Sequence, residues 1–105
     1  MTHNYNIWLW PGAGYCLDGP WEIKDASCEE HAIELLVTDL IAKENWGRYL
    51  LKEDEYEKTC RELGYNPDEH DGDDLEGWLY VDATMEGAPY PVYLRIENMR
   101  IDEIK

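Results

Sequence analysis

A chain of 105 residues, 44% of them apolar, can fill one core but not two, so a single domain over residues 1–105 is expected. Its 24 acidic residues against nine basic ones give a net charge of −15, which repels nucleic acid and anionic lipid and attracts basic partners. Five Trp and eight Tyr, with no Phe, exclude a plain disordered acidic tail and place many rings with a polar tip at core margins or interfaces.

Residues 5–10 read as a strand, with Tyr5, Ile7 and Leu9 on one face and Trp8 and Trp10 on the other. A turn cluster follows at residues 11–14. Trp21 and Ile23 then alternate with Glu22 and Lys24, a short second strand that would pair with the first as a hairpin. Ser27-Cys28-Glu29-Glu30 has the form of a capping box, with Ser27 as N-cap. Behind it, Ala32, Ile33, Leu36, Val37, Leu40 and Ile41 recur at three and four, which predicts a long helix to about Asn45 with Gly47 as its stop. Leu50 and Leu51 would dock the connection onto the core.

The spacing of Tyr56, Cys60 and Leu63 predicts a second helix over residues 53–63, acidic in its first turn and closed by Gly64 and Pro67. Residues 67–77 read as a loop. Beyond it residues 78–84 alternate cleanly, with Leu79, Val81 and Ala83 facing the core and Trp78, Tyr80, Asp82 and Thr84 facing away. Val92, Leu94 and Ile96 mark the last strand, and Ile101 and Ile104 would cover a core edge. The expected architecture is therefore a two-layer α+β domain in β-β-α-α-β-β order. It has a mainly antiparallel four-stranded sheet with the long helix packed on one face.

Three cysteines, Cys16, Cys28 and Cys60, show no C-x-x-C spacing, and residues 1–4 show no basic or apolar leader. A reduced, cytoplasmic setting is the expectation. Catalysis has little to rest on. Cys16 and His31 form no recognisable nucleophile–base signature, Cys28 near a helix start is more often a small core residue, and Gly12-Ala13-Gly14 lacks the third glycine of a phosphate cradle. His3, His31 and His70 have no ligand spacing. No enzyme activity, cofactor or metal is expected.

The charge is concentrated. Thirteen of the acids fall between Glu53 and Glu86, opposed only by Lys58 and Arg61. Carboxylates along a helix and an adjoining loop can copy a row of backbone phosphates and occupy a cationic groove built for nucleic acid. The residues expected to do so are Glu53, Asp54, Glu57, Asp68, Glu69, Asp71, Asp73, Asp74 and Glu76. Trp78, Tyr80 and Tyr93 form a secondary candidate, an aromatic face suited to the Arg side chains of a protein partner. Small size, acidity, aromatic content and the lack of a catalytic motif resemble phage and mobile-element inhibitors of bacterial defence nucleases, of anti-CRISPR or anti-restriction type. The resemblance is one of bulk properties. It implies a basic, nucleic-acid-binding protein as partner, with neither nucleic acid nor membrane bound directly. The alternative is a general protein-interaction or accessory domain whose acidic surface serves solubility.

Residues 68–74 superficially resemble a calcium loop. Placing Gly72 at the sixth position of an EF-hand puts Pro67 at the first and Trp78 at the twelfth, where oxygen ligands are required. Millimolar EDTA should therefore leave the melting temperature unchanged. A large stabilisation by micromolar calcium in a thermal scan would contradict this, because tight binding to the folded state raises stability by mass action.

Overall fold

The computed structural model describes residues 1–12, 14–62, 64 and 77–104. Among these residues the chain is α+β, with strands β1 (His3–Leu9), β2 (Asp18–Ala26), β3 (Leu50–Lys52), β4 (Trp78–Val81), β5 (Val92–Arg95) and β6 (Arg100–Ile104). The helices are α1 (Glu29–Ala42) and α2 (Glu53–Glu62). The expected single four-stranded sheet is corrected to two antiparallel sheets of three strands, ordered β2-β1-β6 and β3-β5-β4. Two short strands make the difference. Leu50 and Leu51, expected only to dock a connection, pair with Leu94 and Tyr93 of β5. The tail, expected to cover a core edge, pairs along β1 from Asn4↔Ile104 to Trp8↔Arg100. Asn98, in the left-handed region at φ 54°, turns the chain between β5 and β6, a conformation Asn tolerates better than most residues.

The hairpin of β1 and β2 forms as the alternation predicts, with Tyr5, Ile7 and Leu9 buried. β2 runs further than residues 21–24, beginning at Asp18. Its approach to β1 is close: a Cβ at Gly19 would lie 2.9 Å from the Ile7 carbonyl oxygen, so only glycine fits there.

Both ends of α1 depart from the sequence expectation. Cys28, not Ser27, is the N-cap, and its Sγ accepts from the His31 N–H at 3.5 Å. His31 completes the cap in place of Glu30, its Nδ1 accepting from the Ser27 N–H at 2.9 Å. The helix also stops before Gly47. Glu44 takes the left-handed conformation at φ 57° and donates to the Ile41 carbonyl, while Asn45 donates to Leu40, the two bonds of a Schellman motif. The periodic apolar residues end at Ile41, and the motif follows directly.

Strand β4 ends at Val81 rather than Thr84 because Asp82 folds back on the chain. Its Oδ1 accepts from the Thr84 N–H at 3.1 Å and from Thr84 Oγ1 at 2.7 Å, which starts the 3-10 turn Thr84–Glu86. The same bonds hold the Asp82 carboxyl below its usual range. Val81 and Ala83 are buried as expected, and Leu79 is half-buried against the same core.

α1 touches strands of both sheets. Its Ala32, Leu36, Val37 and Leu40 share one core with Tyr5, Ile7 and Leu9 of the first sheet and Leu50, Val81, Val92 and Leu94 of the second. Ile33 and Ile41, also expected in the stripe, are half-buried at its margins. A smaller cluster lies on the opposite face of the second sheet, where Tyr56 and Cys60 of α2 cover Leu51, Trp78 and Tyr93. Among the described residues no helix is long and apolar enough to cross a membrane. Because Leu36 is fully buried, Leu36→Ala should destabilise the fold by about 2–5 kcal/mol through lost contacts and the cavity left behind. Chemical denaturation measures this, and an unmoved midpoint would contradict the packing.

Candidate functional site

α2 lies against the second sheet by one edge. Tyr56 and Cys60, four apart, point inward, and every other described residue of the helix is exposed or half-exposed. Acids at its N-terminus are favoured by the helix dipole, so Glu53, Asp54 and Glu55 can crowd its first turn at little cost to the fold. Among the described residues no basic side chain pairs with Glu53 or Asp54, whereas Glu57 has Arg61 one turn on at 3.9 Å. Glu53, Asp54 and Glu57 line a pocket of about 420 Å3 together with Lys52, Tyr90 and Pro91. Three of the acids expected to bind a partner therefore share one site. The other six, Asp68, Glu69, Asp71, Asp73, Asp74 and Glu76, lie outside the described residues, as do the 67–76 part of the expected loop and its calcium-like register.

One side of this site is aromatic, a feature the sequence reading missed. Trp46 and Tyr90 stack with ring centroids 6.0 Å apart and planes 25° from parallel. The Lys52 ammonium stands 5.0 Å from the Trp46 ring centroid and 5.6 Å from that of Tyr90, within cation–π range of both. A cation thus stands over two rings beside three carboxylates, so the site combines cation–π and ionic chemistry. Trp46, Lys52 and Tyr90 come from the α1–β3 connection, from β3 and from the segment before β5. Only the pairing of β3 with β5 brings them together, and no spacing in the sequence marks it.

The second candidate, the aromatic face of Trp78, Tyr80 and Tyr93, is divided by α2. Tyr93 stacks on Tyr56 with centroids 3.5 Å apart and planes 2° from parallel, and Trp78 belongs to the same covered cluster. Tyr80 meets Tyr93 edge-on at 5.4 Å but remains 46% exposed. Arg95, the one base near this face in the sequence, stacks over Trp78 at 4.8 Å. Trp8 belongs to the other sheet, beneath Arg100 at 4.9 Å, so it does not extend this face. The chain thus places four of its few cations over its own rings, Arg48 over Tyr49 being the fourth, and leaves carboxylates to face solvent.

Of the residues weighed for catalysis, Cys28 and His31 are engaged in the cap of α1. Both ring nitrogens of His31 are used, Nδ1 by the Ser27 N–H and Nε2 by Glu86 Oε1 at 2.9 Å, which fixes the start of α1 to the 3-10 turn. Cys60 is buried, while Cys16 and Cys28 are exposed free thiols. No group of His, Cys, Asp or Glu among the described residues is arranged to hold a metal ion. Fold and site together define an α+β protein with an acidic and aromatic surface. Compared with protein-family models, curated proteins and solved structures, the chain matches none.

Proposed function

We propose that this chain is a non-enzymatic binding protein that engages a basic, nucleic-acid-binding protein. On this reading it masks that partner's nucleic-acid groove in the manner of a phage or mobile-element inhibitor. The single observation that carries the reading is the site at the start of α2. There Glu53, Asp54 and Glu57 flank an aromatic pair that already holds one ammonium, that of Lys52. A surface that binds its own lysine has the chemistry to bind a partner's. The high negative charge adds long-range attraction to a basic partner and accelerates encounter.

Capture from a bacterial lysate tests this reading. The recovered proteins should be nucleic-acid-binding, should be displaced by DNA or RNA, and should be released steeply as salt rises. Reversal of Glu53, Glu57, Asp68, Asp71 and Asp73 to Lys, in small groups, should abolish capture. The fold should hold to within about 1 kcal/mol for single reversals at the described exposed positions, because acids on a crowded surface repel one another and only Glu53 loses a dipole contribution. Capture that ignores salt, survives these reversals and is lost on Tyr80→Ala would contradict the reading.

A further inference from the structure

A second groove lies away from α2, between α1 and β4, with a volume of about 360 Å3. Its floor is apolar, formed by Ile33 of α1 and by Leu79 and Val81 of β4, with Tyr80 as a wall. Its rim is acidic on both sides: Glu29, Glu30 and Glu34 stand on the helix and Asp82 just past the end of β4. Among the described residues no Lys, Arg or His lines it.

β4 is also the end strand of its sheet among the described residues. The Ile96 N–H donates to the Gly77 carbonyl at 2.7 Å, and the register continues through Leu79↔Leu94 and Val81↔Val92. Backbone bonding alternates along an antiparallel pair, so Leu79 and Val81 bond toward β5 while the N–H and C=O of Tyr80 point out of the sheet. The Arg95 N–H, bonded to the Tyr49 carbonyl on the β3 side at 2.8 Å, fits the same alternation. An outward row of backbone donors and acceptors is a template for an added strand.

From these features we infer that the groove is a docking site for an extended basic segment of a protein partner. The segment adds to the edge of β4, where its side chains alternate between faces: those turned toward α1, apolar and basic in turn, meet the Ile33–Leu79–Val81 floor and the Glu29, Glu30 and Glu34 carboxylates, and those turned away pass Tyr80. The occupant is set by charge complementarity: four carboxylates, with no cation among the described lining residues, disfavour an acidic strand and favour a basic one. The inference is independent of the reading of α2, because the two sites share no lining residue.

The test uses the whole protein and a capped octapeptide that repeats Arg-Arg-Val-Val, which puts both residue types on each face of a strand, followed by amide chemical shifts at low salt. Binding should move the resonances of Tyr80, Asp82 and Ile33. Glu30→Gln combined with Glu34→Lys should weaken it roughly tenfold or more, with circular dichroism and the melting transition confirming the fold. Glu53→Lys, which strikes only the α2 site, should leave it unchanged. A peptide methylated at every backbone nitrogen has no donor for the strand edge, whichever way it runs, and should not bind. The inference is overturned if the shifts gather around Tyr90 and α2, if the methylated peptide binds equally well, or if no shift occurs at millimolar peptide. Pairing of β4 with β4 of a second copy, seen as concentration-dependent dimerisation without peptide, would overturn it as well.

Discussion

Tyr49 ties the two sheets together. It is 3% exposed, and each of its polar groups reaches a different part of the fold. Its hydroxyl donates to the Asp18 carboxylate at the start of β2, and the Trp21 ring of the same strand meets its ring edge-on at 5.4 Å. Its carbonyl accepts from the Arg95 N–H at the end of β5. One residue in the short connection between α1 and β3 therefore bonds to both sheets. The shared core around α1 supplies the bulk of the burial, but apolar contact is non-directional. The hydrogen bonds of Tyr49 fix how one sheet sits on the other.

That frame determines what the surface presents. With α1 filling the space between the sheets, the second sheet keeps an outer face, and α2 covers only part of it. Among the described residues α2 is held by Tyr56 and Cys60, and its carboxylates spread toward solvent, with Glu57 alone near a base of the helix, Arg61. The pairing of β3 with β5 carries Lys52 to Trp46 and Tyr90, and the packing of α1 beside β4 opens the second acidic groove. Both surfaces combine carboxylates with apolar or aromatic groups. Charge provides attraction at a distance, and the apolar component provides affinity once water is excluded.

The helices and the strand faces were legible in the sequence because periodicity reports burial directly. Leu36, Val37 and Leu40 recur at helical spacing and are buried, and so are Ile7 and Leu9 at strand spacing. Beyond the hairpin of β1 and β2, which strand pairs with which was not legible. Alternation says that a strand has a buried face but not whose edge it joins, so two short additions, β3 of three residues and the tail strand β6 of five, turned one expected sheet into two. Local hydrogen bonding also overrode propensity: Cys28 and His31 took the cap expected of Ser27 and Glu30, and Asp82 ended β4 early. The acidity of α2 was evident from composition alone. The Lys52 cage was not, because its members meet only through β-pairing.

The central claim is that Tyr49 locks both sheets into one frame, and its hydroxyl offers a direct test. Burial, followed by the hydrogen bond to Asp18 and the charge of Asp18, pushes that hydroxyl up from 10.0 to about 12, with Arg48 opposing. The unfolded chain therefore releases this proton first. The stability it contributes is present in full below pH 10 and declines as pH rises toward 12. The measurement is the unfolding free energy of the wild-type chain and of Tyr49→Phe by denaturant titration across that range. Near neutral pH the wild type should be more stable by about 1–2 kcal/mol, and the difference should shrink steadily above pH 10. A substitution without effect at neutral pH, or a difference that stays constant up to pH 12, would contradict the account.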